Sequence, residues 1–590
     1  MKISIWPRWL AIFLVVLSTL AVSGCDLDRF KTTAAEEPQL VDSVLSEPKT
    51  FNAALSNESP NIFGFTYEGL VTLNYNTQEI EPALAESWRI SENNKEIIFT
   101  LREGLQWSDG EPLTAADVDF TFNRIYFNEE IPTSTRDVLR IGKEGKLPEV
   151  TQISDREVKF TVPQPFAPFL RTIGSVTILP KHALEDTLEP KTEGGDLPFL
   201  STWGIDTDPQ KIVFSGPYVL EGYNTSQRLQ FRRNPYYWRE DQQGNAQPYI
   251  ERINWEIVEN QDTALLQFRS GGLDTVSVSP QNFSLLKQEE ERNNFTIYNG
   301  GPTASKSFIF FNLNRASRGG EPLVTPYKSR WFTNVKFRRA IAYGINRSKM
   351  LNNIFRGLGQ KQHSPISVQS PYYYSPEEGL KTYDYDPEKA KELLFSIGFR
   401  TNENGEMYDG EGHRVEFTLL TNAGNQTRES MGAQIKQDLA QIGIKVNFQP
   451  ISFNTLVTKL SSTRDWECVI LGLTGGVEPN NGANVWLPEG RLHMFNQGPQ
   501  PGDDSPLKGW KVTDWERKIG DLYIQGAQEL NEEKRKEIYA ETQQLTQEYL
   551  PFIYLVNSLA MSAIRDRVRG VDYSALGGAY WNIYELEIVE

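Results

Sequence analysis

After an apolar leader that ends at Cys25, helix-type and strand-type patterns alternate along the chain, with no fixed-period repeat and no low-complexity tract. Such alternation favours mixed α/β layers. It runs through a chain of 590 residues, about four times the ~150 residues of a typical domain, so a single small domain is excluded. The clearest helix signal is Asp386-Pro387 followed by an apolar face and Gly398: an N-cap, a first-turn proline and a C-terminal stop. Residues 335–356 predict a helix in two pieces. Amphipathic patterns also run over 428–442 and, strongly charged, over 514–548. Strands are expected at 96–102, 157–162, 227–232, 253–258, 306–312, 415–420, 467–472 and 552–556. Segment 402–411 starts like a calcium loop but lacks the spaced bidentate Glu, so a hairpin turn is expected.

Residues 1–24 read as a secretory signal. Lys2 and Arg8 precede an apolar core, and Leu20-Ala21-Val22-Ser23-Gly24-Cys25 puts small residues directly before a cysteine. That ending resembles the lipobox of bacterial lipoproteins and makes Cys25 the candidate lipidation site. Residues 25–37 would be a polar tether. No later stretch approaches ~18 consecutive apolar residues, so the chain after Cys25 is expected to be soluble. The other cysteine, Cys468, lies in an apolar run and is expected to be a buried free thiol.

Several chemistries are disfavoured. A net charge of −17 argues against a nucleic-acid face, which needs clustered positive charge. Two Cys and four isolated His argue against a disulfide scaffold and a multi-ligand metal centre. No phosphate-binding glycine loop, no Gly-x-Ser-x-Gly elbow and no His-Glu-x-x-His pair occurs. The proline inside Ser46-Glu47-Pro48-Lys49 opposes the helical turn that a Ser-x-x-Lys site requires. Binding is therefore the leading class, with no catalytic residue, cofactor or metal expected.

The segment Tyr67-Glu68-Gly69-Leu70, then Leu84-Ala85-Glu86-Ser87-Trp88, then Trp107-Ser108-Asp109-Gly110 with Leu113-Thr114-Ala115-Ala116-Asp117-Val118, resembles the bacterial extracellular solute-binding proteins of family 5. Those are the oligopeptide-, dipeptide- and nickel-binding components of ABC importers. Ser215-Gly216-Pro217-Tyr218, Arg233-Asn234-Pro235-Tyr236-Tyr237-Trp238 and the 335–345 and 386–390 segments extend the resemblance over the mature chain. Most of these residues have a structural reason to be there. Gly110 suits a positive-φ turn, and Thr114 with Asp117 forms a short capping box. Phe120 and Phe122 are expected to pack against a sheet.

The resemblance implies a two-lobed periplasmic-binding-protein fold, type II-like, closing on ligand by hinge motion. Lobe 1 would comprise about 38–303 and 557–590, with an extra subdomain near 82–210, and lobe 2 about 307–553. Crossings would lie near 303–307 and 552–557. The implied role is a periplasmic or extracytoplasmic protein, anchored to a bacterial membrane by its lipid and acting as a monomer. It would hand a peptide or other small solute to an ABC permease and, through it, to ATPase subunits. Peptide is the first choice of ligand. A non-peptide solute such as an oligosaccharide, or a sensor role, is the alternative.

Peptide-binding relatives carry an aspartate for the peptide ammonium on the loop after the strand here ending near Leu471. This chain has Gly472-Leu473-Thr474-Gly475-Gly476-Val477-Glu478-Pro479 instead, with Gly476 at the position of that aspartate. Candidate ligand contacts are Leu473, Thr474, Gly475, Gly476, Glu478, Asn480 and Trp486, together with Asn57 and Tyr554. Glu478 either replaces the missing carboxylate or faces solvent. Trp486 is either a platform for ligand or a core residue.

Overall fold

The computed structural model describes residues 38–56, 61–190, 195–500 and 507–589. Cys25 and the leader, like Asn57, lie outside the described residues. No described helix is long and apolar enough to cross a membrane.

Four larger sheets organise the chain. The first joins Gln39–Val44, Arg252–Ile257, Arg228–Arg233 and Tyr218–Asn224, parallel at its first pair and antiparallel beyond. A second, antiparallel, sheet holds Ala85–Ile90, Glu96–Leu101, Glu157–Thr161 and Glu149–Gln152. Its strand Glu96–Leu101 alternates strictly, with Ile97, Phe99 and Leu101 buried, as a sheet with one face on the core requires. The third pairs Val556–Arg565 with Thr275–Ser277 and Phe295–Pro302.

The fourth has five strands in the order Lys445–Ile451, Glu416–Asn422, Cys468–Leu473, Lys306–Phe311, Ile553–Tyr554. Here alternation disappears: Cys468, Val469, Ile470 and Leu471 are all buried. A sheet covered on both faces selects such continuous apolar runs. Glu416–Asn422 and Lys445–Ile451 are parallel, and the helix Gln426–Ala440 forms the crossover between them.

Local signals set the elements as expected. Asp386 caps Pro387–Phe395 by accepting from the Lys389 N–H at 2.9 Å, and Gly398 takes φ +95°. Helices Val335–Gly344 and Arg347–Asn353 are the two expected pieces, broken where Asn346 caps the second. Thr114 and Asp117 form a capping box, and Phe120 and Phe122 are buried. Segment 400–408 is a two-stranded hairpin, and Cys468 is a buried free thiol.

Three apolar cores follow from this layout. One contains Phe65, Trp107, Phe160 and Phe231; a small one contains Phe268, Phe295 and Met561; the third contains Phe311, Phe337, Phe417 and Phe552. The chain passes from the third sheet to the five-stranded sheet between Pro302 and Lys306, and returns between Tyr554 and Val556. The two passages run side by side. Leu555 N–H donates to the Ser307 carbonyl at 2.9 Å, Asn557 Oδ1 accepts from Ser307 N–H at 2.8 Å, and Thr303 N–H donates to the Ser558 carbonyl at 3.2 Å. The result is a two-lobed α/β protein with a cleft beside these paired passages.

Candidate functional site

A cavity of about 650 Å³ opens between the lobes, bounded on one side by Tyr67, Glu68, Arg171 and Arg239 and on the other by Lys306 and the 473–486 segment. Its floor follows from one local constraint. Leaving the strand Cys468–Leu473, the loop must lie directly on the Ala304–Lys306 passage. At Gly475 a side-chain carbon would collide with the Ala304 carbonyl and sit 2.5 Å from Lys306 Nζ. Glycine removes that clash. Gly476 is the opposite case: the nearest atom to a carbon placed there is Asn481 Nδ2 at 3.9 Å. The position to which the family resemblance assigned an aspartate therefore has room for a side chain, and this chain has glycine there.

Leu473, Thr474, Gly475, Gly476, Glu478 and Trp486 all border the cavity. Their roles differ. The Glu478 side chain is only 4% exposed; Arg535 Nη2 donates to Oε1 at 2.8 Å, and the same oxygen accepts from Asn480 N–H at 3.2 Å. Arg535 in turn donates to the Gly526 carbonyl at 2.8 Å and lies 4.7 Å from the centre of the Tyr372 ring. The carboxylate is thus neither solvent-facing nor available, being committed inside its own lobe. Trp486 is 4% exposed, stacked on Tyr523 at 6.0 Å and edge-on to Phe552 at 5.6 Å. Most of its ring packs in the core, and an edge reaches the cavity.

Asn480 and Tyr554 are not brought to the cavity wall. Asn480 Nδ2 reaches across the lobes to the Val138 carbonyl at 3.3 Å. Tyr554 is buried among Phe308 and Phe552, and its carbonyl accepts from Arg347 Nε at 2.6 Å. Other bonds join the same two lobes: Thr172 Oγ1 donates to Asn481 Oδ1 at 3.1 Å, Arg491 N–H to Asp137 Oδ2 at 2.9 Å, and Ala167 N–H to the Ala527 carbonyl at 2.8 Å. The lobes are in contact, and the cavity lies between them.

Sequence reasoning missed the charged wall. Glu68 lies in a motif read as structural, Arg239 directly follows the Tyr236-Tyr237-Trp238 motif, and Lys306 opens an apolar strand. Burial pushes the Glu68 carboxyl up, against Trp238 Nε1 and Tyr237 Oη donating to it at 2.7 and 2.6 Å. Burial alone pulls the Lys306 ammonium down to about 8. A lysine at the first position of an otherwise apolar strand was the available signal, but it does not reveal which way the side chain points.

For a metal, the described residues offer one group with three donors within 4.8 Å of one another, Asp409, Glu411 and His413. None borders the cavity. Arg330 pairs with Glu411, Trp331 Nε1 donates to Asp409 at 3.0 Å, and the His413 ring stacks on Tyr327 at 4.0 Å. The three residues sit in the turn after the 400–408 hairpin, where they pack against the helix Pro326–Thr333.

Comparison with known proteins places this architecture. The family model described as bacterial extracellular solute-binding proteins, family 5 Middle, matches residues 79–491. A Deinococcus radiodurans protein described as a probable ABC transporter-binding protein is 30% identical over 89% of this chain and 88% of its own length. Among solved structures, the Bacillus subtilis oligopeptide-binding protein AppA in complex with a nonapeptide has a TM-score of 0.78 at 21% identity, covering 94% of this chain and 100% of that one. The periplasmic binding protein MelB of Agrobacterium fabrum, in complex with stachyose, has a TM-score of 0.80 at 20% identity, covering 94% and 85%.

Proposed function

This chain belongs to the bacterial extracellular solute-binding proteins of family 5, and from that premise we propose that it is the lipid-anchored binding component of an ABC importer whose cargo is a peptide. Proteins of this family bind and release; the chain is not an enzyme. The observation that carries the reading is the cavity of about 650 Å³, walled by both lobes and lying beside their paired passages. A solute touching both walls favours the closed form by its differential affinity, which is the only way a ligand can drive closure. Lobe 1 is taken as about 38–303 with 557–590 and lobe 2 as about 307–553. The separation of the cores and the two side-by-side passages support that division. The closed monomer then presents its cargo to a permease, and the ATPase subunits supply the energy.

Native mass spectrometry of protein purified without denaturation tests the cargo. Peptide masses are expected, released on unfolding and sequenced by fragmentation. An oligosaccharide ladder would instead favour the second reading, which the bare Gly476 and the stachyose complex of a structural neighbour support. Neighbouring genes for two permeases and two ATPases separate an importer from a sensor.

The anchor rests on the small residues before Cys25. Acyl chains contribute about 0.8 kcal/mol per buried CH₂, and stable attachment takes more than one chain. Cys25→Ser is expected to move the protein from the membrane pellet to the soluble fraction. A wild-type protein that is already soluble, with an unmodified N-terminus, would rule the anchor out.

A further inference from the structure

Among the described residues, five charged side chains border the cavity: Glu68, Glu478, Arg171, Arg239 and Lys306. Both carboxylates are occupied. Glu478 is ion-paired to Arg535. Glu68 accepts from Tyr237 and Trp238 and lies in the field of Arg239 and Arg102. The cations are less committed. Among the described residues the Lys306 ammonium has no ion pair and no hydrogen bond; its near neighbour is the bare backbone at Gly475. Arg171 donates through Nη2 to the Gln78 carbonyl at 2.7 Å, while its Nη1 is buried without a partner. Arg239 is more committed: its guanidinium lies 4.8 Å from the centre of the Trp238 ring and 4.0 Å from that of Tyr584, beside Glu68. Close by, Arg428 on the helix Gln426–Ala440 reaches Gly472 with only the Asn422 amide as its side-chain partner at 2.8 Å.

A cation such as Lys306, bordering the cavity and largely removed from water, is costly unless something completes it. In this cavity the missing partner is an anion. We infer that the cleft recognises a solute through its negative charge, with Lys306 as the counter-ion and Arg171 as a supporting cation on the opposite wall, and that no free ammonium is required for binding. The inference rests on the reading of this cavity as the ligand site and refines its substrate class: for a peptide, the carboxylate end is read and the amino end is not. It also gives the bare Gly476 a reason, since an aspartate there would face the anion.

Burial holds the Lys306 ammonium near 8, so the charge is present at neutral pH and fades as pH rises through that value. An anion in contact raises it again, so binding takes up protons above pH 8. The strands paired with Lys306–Phe311 carry Cys468 and Tyr554, whose ionisation burial pushes up, Arg428 lies beside Gly472, and the loop beyond carries Glu478 with its partner Arg535. Arg428, held near 10, and Arg535, raised beside its carboxylate partner, stay protonated over most of this range.

The test is titration calorimetry with a tripeptide pool in three forms: unmodified, N-acetylated, and C-terminally amidated. Trigalacturonate and maltotriose serve as non-peptide probes. The acetylated pool is expected to match the unmodified one, and the amidated pool to bind about tenfold to a hundredfold more weakly, the loss of one charge-assisted contact. Lys306→Gln should remove that difference and flatten the decline in affinity between pH 7 and 9. Lys306→Arg should keep the preference without the pH dependence, which guards against a general folding defect. Equal binding of the amidated pool, or loss of the acetylated one, overturns the inference while leaving the peptide reading intact. Binding of trigalacturonate but of no peptide form, abolished by Lys306→Gln, sustains the inference and removes the peptide reading. Binding of maltotriose alone removes both.

Discussion

Arg535→Met is expected to destabilise the ligand-free protein by about 3–5 kcal/mol, the range for removing one partner of a buried ion pair. The substitution leaves Glu478, whose side chain is 4% exposed, with only the Asn480 N–H. It also removes a donor to the Gly526 carbonyl. Glu478→Gln should cost less, because Arg535 keeps Gly526 and the Tyr372 ring. The double variant should recover much of the loss, since two apolar or neutral groups leave no buried charge behind. Urea titrations of the four proteins, followed by tryptophan fluorescence, form a complete cycle. A single-variant cost for Arg535→Met within the error of the midpoint would mean that the pair is open to solvent. The expectation also sets a control for binding work: a weakened ligand affinity in Glu478→Gln has to be read beside its stability.

Trp486→Ala should cost a further large amount, about 3–5 kcal/mol, through lost burial and the cavity left behind. The ring is 4% exposed, stacked on Tyr523 and edge-on to Phe552. A platform residue behaves differently, leaving the ligand-free melt unchanged and lowering only ligand affinity. Calorimetric melts of the apo proteins separate the two cases. A Trp486→Ala variant that melts with the wild type would put the ring's work in the cleft rather than in the core.

Part of the site is legible in the amino-acid sequence. The loop after Cys468–Leu473 reads as cleft-forming, and six of its seven candidate residues do border the cavity. Asn480 does not, because it spends its amide on Val138 of the other lobe. Nothing within a few residues of Asn480 signals that contact, whose partners are 342 positions apart. Lys306, Glu68, Arg171 and Arg239 escape for a related reason. A charged residue in an apolar context has the same local pattern whether it faces solvent or a cavity.

Sequence alone determined the pieces. Asp386-Pro387 starts its helix and Gly398 ends it, Thr114 and Asp117 cap theirs, and the period-two run at Glu96–Leu101 makes a one-faced strand. Each of those outcomes depends on atoms three or four residues apart, so the chain carries its own instruction there. Family motifs spread over the chain determined the fold class. Tertiary structure decided which charges were already satisfied. Glu478 meets Arg535 across 57 positions, and Tyr237 meets Glu68 across 169. The free energy of a charge depends on its desolvation and on the partners folding brings to it. Neither quantity exists until the lobes have packed, and that is why the one carboxylate expected to meet the ligand is paired with an arginine while Lys306, among the described residues, borders the cleft without a partner.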